Sequence, residues 1–156
     1  MLLFFAAFIL AACGGNDQSA AGSDTGAKPK SMIQDAPASD GKGVGEIKSV
    51  VLNNPLKADM VERGQSIYDM KCSACHKLTD QRVVGPGWFG VTERRKPEWI
   101  MNMVTNVDIM LEQDPDAQAL LEECLTRMPN QNVSIGDARD LLEFMYANDT
   151  GKVGGK

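Results

Sequence analysis

The sequence Cys72-Ser73-Ala74-Cys75-His76 decides what kind of fold this chain can adopt, and His76 is the only histidine among its 156 residues. Two cysteines at this spacing can form thioethers with the two vinyl groups of a haem, and the adjacent imidazole can then reach the iron. The motif therefore predicts one covalently attached haem c, held by Cys72 and Cys75, with His76 as an axial ligand. Because the chain has no second histidine, a methionine, an amine or an open position must face the other side of the iron.

Two other kinds of site use the same spacing of cysteines. Thiol oxidoreductases carry Cys-X-X-Cys, but they place a strand before the motif within a β/α pattern, and no such strand is predicted here. A zinc site would need a second group of ligands, whereas these three candidates are crowded into five consecutive residues. The covalent haem remains the favoured interpretation.

The composition predicts one modest globular domain with polar extensions, since 43% of the residues are hydrophobic and the formal charge is −5. An acidic chain without a dense basic face is a poor ligand for a phosphate backbone, so no nucleic-acid partner is expected. The four cysteines are spread over several roles, and a disulfide framework is not predicted.

The first twelve residues, MLLFFAAFILAA, form an apolar run that is too short to span a bilayer and predicts a signal peptide at 1–12. No Lys or Arg precedes the run, which departs from the usual signal. The segment Leu10-Ala11-Ala12-Cys13 resembles the lipobox of bacterial lipoproteins. That resemblance implies a lipid on Cys13 and an extracytoplasmic, periplasmic protein that is anchored to a bacterial membrane.

The rest of the chain predicts an all-α domain at 57–150, in which haem supplies much of the core. Residues 13–45, rich in Gly, Ala, Ser, Asp and Pro, predict a flexible linker after Cys13, and 46–56 an extension that packs on the domain. A flexible tail is expected at 151–156. Apolar periodicity and capping signals predict four helices: one at 57–70, one from Pro97 through Met110, one that begins after Asp114-Pro115, and one that begins after Ser134. Residues 78–91 should form an irregular loop.

Several motifs occur in a fixed order over roughly the last 100 residues: Gly64-Gln65-Ser66-Ile67-Tyr68, Cys72 to His76, Gly85-Pro86, Met128-Pro129, and a last helix with Leu141, Leu142, Phe144 and Tyr146. The pattern resembles class I monohaem c-type cytochromes, in a bacterial lipoprotein form. The resemblance implies the cytochrome c fold, with the Pro86 carbonyl accepting the Nδ1 proton of His76 and Met128 as the second axial ligand. It also implies an electron carrier, not an enzyme.

Context separates Met128 from the other eight methionines. Met101, Met103 and Met110 lie on a helical stripe, where core packing is the ordinary explanation. Met128 precedes a proline in a loop, where its side chain can turn toward the haem. Ligation by His and Met suits electron transfer and leaves no vacant position on the iron. The alternative is a haem c ligand sensor or peroxidase-like enzyme whose sixth ligand can be displaced.

Three further side chains are candidates for contacts with the haem propionates: Trp99, Arg94 and Arg95. For Trp99 a core position, and for the two arginines a solvated surface, are the plainer interpretations. Cys124 shares a helical stripe with Leu120 and Leu121, which predicts a buried, inert thiol.

The partners implied by the resemblance are redox proteins of a respiratory chain. A quinol-oxidising complex could donate electrons, and a haem-copper oxidase or nitrous oxide reductase could accept them. The membrane would be a partner through the N-terminal lipid.

Overall fold

The structure is a computed structural model that describes residues 40–151, in which the chain forms six α-helices. They are α1 (Ala58–Lys71), α2 (Val91–Arg94), α3 (Pro97–Thr105), α4 (Val107–Gln113), α5 (Pro115–Cys124) and α6 (Ile135–Asp149). The described residues contain no strand beyond one isolated bridge between His76 and Arg82. The predicted all-α class is confirmed. The predicted signal peptide, the lipidation site Cys13, the linker up to residue 39 and the tail from residue 152 lie outside the described residues.

Helices α1 and α6 cross at Gly64, the first residue of the motif Gly64 to Tyr68. A Cβ at this position would collide with the carbonyl oxygen of Asp140 and lie 2.7 Å from the Cβ of Phe144. Beside the crossing, Arg63 donates to both carboxylate oxygens of Asp140, over 2.6 and 3.0 Å. The crossing fixes α1, and with it the cysteine motif that follows.

The helix predicted from Pro97 through Met110 is in fact two helices, so that prediction is wrong at Asn106. Asn106 has φ −144° and ψ 48°, and it ends α3 and begins α4. Apolar residues on both sides of the break, such as Val104 and Val107, are buried. The periodicity reports which face is buried and is insensitive to a bend that keeps the same face inward.

Two N-caps are confirmed. The carboxylate of Asp114 accepts from the backbone N–H of Ala117 at the start of α5, over 2.9 Å. The hydroxyl of Ser134 accepts from the backbone N–H of Asp137 at the start of α6, over 3.1 Å. Each cap satisfies a backbone donor that the helix itself leaves unpaired, which sets where the helix begins.

The predicted flexible linker ends too late, because residues 40–45 already lie on the domain. The fully buried side chain of Asn102 donates to the carbonyls of Lys42 and Ile47, over 3.0 and 2.9 Å, and accepts from the Ile47 N–H over 3.1 Å. Gly45 packs directly against Asn102. A polar, glycine-rich composition does not reveal that a distant asparagine will bind the backbone of the segment.

Residues 46–56 lie against α3 and α6. A fully buried carboxylate, Glu143 on α6, accepts from the backbone N–H of Lys57 over 2.8 Å, from Asn53 Nδ2 over 3.2 Å and from Arg139 over 2.6 Å. Burial of a carboxylate is costly unless it is fully hydrogen-bonded, and these donors meet that need. Glu143 therefore fixes the point at which the extension joins α1.

The region 78–91 is an irregular loop, as predicted, and leads directly into the short helix α2. Asp149 at the end of α6 accepts from the backbone N–H groups of Gly90 and Thr92, over 2.7 and 2.9 Å, and from the Thr92 hydroxyl. Asn148 donates to the carbonyl of Leu78 over 3.0 Å. The end of α6 thus holds both ends of the loop.

No helix within residues 40–151 is long and apolar enough to cross a membrane.

Replacing Gly64 by Ala should lower the free energy of unfolding by about 1–3 kcal/mol, the usual cost of overpacking. Alanine is the better helix former by roughly 1 kcal/mol, but the backbone carbonyl of Asp140 cannot move aside as a side chain could. Chemical denaturation followed by circular dichroism measures the change. Gly136→Ala is the matched control, because its Cβ would meet nothing nearer than 3.8 Å; equal stability of the two variants would contradict the close crossing.

Candidate functional site

The cysteine motif forms a turn that continues from the end of α1. The backbone N–H groups of Cys72 and Ser73 both donate to the carbonyl of Tyr68, and those of Cys75 and His76 both donate to the carbonyl of Cys72. This tight turn brings the two cysteines and the histidine to the wall of one cavity. Cys72 is buried and Cys75 half-buried.

The cavity has a volume of about 840 Å³, which is within the range of cofactor and ligand sites. Its walls are mainly apolar and come from α3, α4, α5 and the loops on either side of them; they include Ile100, Val104, Leu111, Leu120, Leu121 and Val133. A large apolar group with two attachment points fits this donor set and this lining. The residues present therefore fit a haem that is joined to Cys72 and Cys75.

His76 is held from several sides. Its Nδ1 lies 2.8 Å from the carbonyl oxygen of Pro86, the contact that the sequence resemblance implies. Gly85 lies directly against the ring, because a Cβ there would come within 2.8–2.9 Å of both ring nitrogens. The hydroxyl of Tyr68 donates to the backbone carbonyl of His76 over 2.7 Å. When Nδ1 donates to Pro86, Nε2 is left as the lone-pair nitrogen that an iron ion requires.

The protonation states agree with a haem-binding role. Burial lowers the pKa of His76, although the hydrogen bond to Pro86 opposes the shift, and the lowered pKa favours the neutral imidazole. Burial raises the pKa of the Cys72 thiol to about 11. Catalytic thiols of oxidoreductases have lowered pKa values, so the environment of Cys72 argues against that class of site.

Trp88 is a site residue that the sequence analysis missed. It is buried, and its ring centroid lies 5.0 Å from that of Tyr68 and 5.6 Å from that of His76. Its position directly after Gly85-Pro86-Gly87 is the feature of the sequence that indicates a role at the site, since a large aromatic side chain in such a loop packs on the group that the loop surrounds. Trp88 forms part of the wall behind His76.

Three methionines line the cavity: Met103, Met128 and Met145. Met103 and Met145 belong to α3 and α6, whereas Met128 is half-buried in the loop after α5. Leu125 begins that loop in the left-handed region, with φ 55°, which turns the chain sharply away from the helix axis. The loop location of Met128 agrees with the sequence expectation, and its bond to iron remains a proposal.

For Trp99 the structure agrees with the plainer interpretation, a core position, and not with a propionate contact. The single N–H of its indole is donated to the buried carboxylate of Asp114, over 2.9 Å. Arg95 stacks on the Trp99 ring at 4.6 Å and pairs with Asp116 over 2.9 Å. Trp99 is thus a core residue whose only donor is already used.

Arg94 and Arg95 both line the cavity and stay candidates for propionate contacts. The guanidinium of Arg94 donates to the carbonyls of Phe89 and Gly87, over 2.6 and 3.2 Å. These bonds fix the guanidinium beside the cavity without using all of its donors.

Cys124 is not the buried core thiol that its stripe predicts. It is half-buried at the end of α5 and lines the cavity together with Leu120 and Leu121. A helix face turned toward a cofactor cavity has the same apolar periodicity as one turned toward protein core. The pattern alone could not separate the two environments.

Comparisons with known proteins agree with this site. The family model described as Cytochrome c matches residues 61–148. A cytochrome c-553-like protein of Synechocystis sp. is 33% identical over 51 residues, which cover 33% of this chain and 48%, about half, of the relative.

Solved structures with the same fold include a cytochrome c from Rhodothermus marinus, at TM-score 0.66 and 33% identity, covering 69% of this chain and 91% of that one. An engineered form of the Rhodothermus marinus protein, bound to a carbene intermediate, matches at TM-score 0.63 and 33% identity, covering 68% of this chain and 91% of that one.

Replacing Gly85 by Ala should displace the His76 ring, because the added methyl group would occupy the space of the imidazole. We expect less covalent haem by mass spectrometry, and a free energy of unfolding lower by about 1–3 kcal/mol in the protein that does carry it. Gly136→Ala again serves as the control with open space around its Cβ. If Gly85→Ala matches Gly136→Ala in both measurements, the close support of His76 by Gly85 is refuted.

Proposed function

The chain belongs to the cytochrome c family, whose members bind one covalent haem c and transfer electrons through it, as the Cys-X-X-Cys-His motif predicts. On that premise we propose that it carries single electrons between respiratory-chain partners outside the cytoplasm. In this proposal His76 and Met128 are the two axial ligands of the iron.

The observation that carries the proposal is the arrangement of the cavity. On one wall His76 is held by Pro86 and Gly85 with Nε2 as the free nitrogen, and the loop methionine Met128 also lines the cavity. Haem, when bound, supplies a one-electron couple between ferric and ferrous iron. Each residue then has a stated part: the cysteines hold the cofactor, His76 coordinates, and the apolar walls exclude water.

A thioether is a soft donor that favours ferrous iron, so Met128 as a ligand raises the reduction potential. Two protein ligands also leave no position for a substrate, and a site that keeps its ligands needs little rearrangement when an electron arrives or leaves. Both features suit a carrier, which the members of this family generally are.

The second candidate function, a haem c ligand sensor or peroxidase-like enzyme, requires the sixth ligand to leave. Its support is the similarity to the engineered Rhodothermus marinus cytochrome c, which is bound to a carbene intermediate. In the present chain the loop that carries Met128 is secured by polar contacts, including a hydrogen bond of 3.0 Å from the Lys71 ammonium group to the carbonyl of Gln131. A secured loop favours the carrier.

For the location and the partners we propose a lipid on Cys13, which would tether the domain to a bacterial membrane on the periplasmic side. The support is the lipobox-like segment Leu10-Ala11-Ala12-Cys13 and the polar composition of the residues that follow it. A quinol-oxidising complex as donor, and a haem-copper oxidase or nitrous oxide reductase as acceptor, are the proposed partners.

Met128→Ala should abolish the sulfur-to-iron charge-transfer band of the oxidised protein, because it removes the proposed ligand. The reduced variant should then bind carbon monoxide rapidly at neutral pH, whereas the unmutated protein should bind it slowly. Absorption spectra and stopped-flow mixing measure the two properties.

An unchanged band in Met128→Ala would refute the ligand assignment. Met103→Leu and Met145→Leu test the other methionines that line the cavity, and loss of the band in one of them would transfer the assignment to that residue. Rapid carbon monoxide binding by the unmutated protein would favour the sensor or enzyme over the carrier.

Cys13→Ser should release the protein from the membrane fraction into the soluble periplasmic fraction, because the lipid is attached through the thiol. The haem absorbance of the two fractions measures the distribution, and the total covalent haem should not change. A protein that is already soluble before the substitution would instead indicate an ordinary signal peptide.

A further inference from the structure

The segment 125–134, here named the Met128 loop, joins α5 to α6 and is fastened at several points. Arg127 pairs with Asp108 of α4 over 3.0 Å. The side-chain oxygen of Asn130 accepts from the backbone N–H of Asn132 over 2.9 Å, which closes a local turn. Val133 is buried near the end of the loop. These contacts join the loop to α4, to itself and to the core.

Lys71 makes a contact of a different kind, because it belongs to the other side of the site. It is the last residue of α1 and directly precedes Cys72. Its ammonium group donates to the backbone carbonyl of Gln131 in the Met128 loop, over 3.0 Å. Lys71, Gln131 and Met128 all line the cavity. Among the hydrogen bonds described for residues 40–151, this one alone joins segment 71–76 to the Met128 loop.

We propose that Lys71 is a positioning residue for the sixth ligand, holding the Met128 loop against the segment that attaches the haem. The proposal rests on the ligation by Met128 proposed above. For an external ligand to take the place of the sulfur, the loop must move away from the haem-attachment segment. That movement breaks the bond between Lys71 and Gln131, so the bond opposes displacement of Met128.

The relative exposure of the contacts indicates why Lys71 should matter more than the ion pair of the same loop. The side chains of Arg127 and Asp108 are 49% and 53% exposed, and exposed ion pairs contribute little because water screens them. Lys71 is half-buried, and its bond is assisted by the charge of the ammonium group. Loss of a hydrogen bond to a charged group typically changes an equilibrium constant by about tenfold or more. Because Lys71 is partly exposed, we expect a change of roughly threefold to tenfold in the displacement of Met128.

The test compares full-length holoproteins in the ferric state, with imidazole as the probe of displacement. Lys71→Met removes the donor while keeping the length of the side chain, and Lys71→Arg keeps a donor. Lys77→Met is the matched control. Lys77 is exposed and directly follows His76, and its replacement by Met removes the same positive charge next to the motif. The measured quantities are the charge-transfer band before mixing and the rate at which imidazole abolishes it.

We expect Lys71→Met to keep the band and to bind imidazole roughly threefold to tenfold faster than the unmutated protein. Lys71→Arg should restore most of the slow rate, and Lys77→Met should stay within about twofold of it. Thermal unfolding of the same variants distinguishes loosening of the loop from general destabilisation of the domain. Far below the unfolding temperature, general destabilisation would not raise the rate of imidazole binding.

Equal imidazole rates in Lys71→Met and Lys77→Met would overturn the positioning role. If the band persists in Met128→Ala, the ligation itself fails and the role of Lys71 fails with it. If the band is lost in Met128→Ala while Lys71→Met behaves like Lys77→Met, the ligation stands and only the role of Lys71 is refuted.

Discussion

The hydrogen bond between His76 Nδ1 and the carbonyl of Pro86 is the constraint on which the rest of the structure depends. A chain with one histidine has a single imidazole to offer to iron, so the ring must be held in one tautomer and one orientation. The carbonyl fixes the tautomer, and Gly85 gives the ring the space that any larger residue would fill. The loop that contains both residues is in turn held by Asp149 and Asn148 at the end of α6.

The same helix fixes the other half of the histidine's environment. Near its middle, α6 crosses α1 at Gly64 and carries the buried Glu143, which binds the backbone where α1 begins. The helix that carries the cysteine motif and the proline loop are therefore both in contact with α6. This shared support explains how two irregular segments can hold a ligand at a defined position.

The sequence was informative where the interactions are local. The Cys-X-X-Cys-His turn and the caps at Asp114 and Ser134 each depend on residues a few positions apart. Two of the failures share a different cause, which is a polar side chain buried against a distant segment. Asn102 binds the chain at residues 42–47 and Asp114 takes the indole N–H of Trp99, and no periodicity or composition marks such pairs.

A second limit of the sequence comes from the cavity itself. The apolar faces of α3 and α5 and part of α6 line a space of about 840 Å³, and their periodicity is the same as if they packed on protein. The periodicity therefore predicts a core position for Cys124 and packing alone for Met103, although both residues line the cavity. A cofactor that completes the core also couples binding to folding, because a group bound only by the folded chain stabilises that chain. The apolar residues of this domain thus have one role in stability and a second in excluding water from the redox centre.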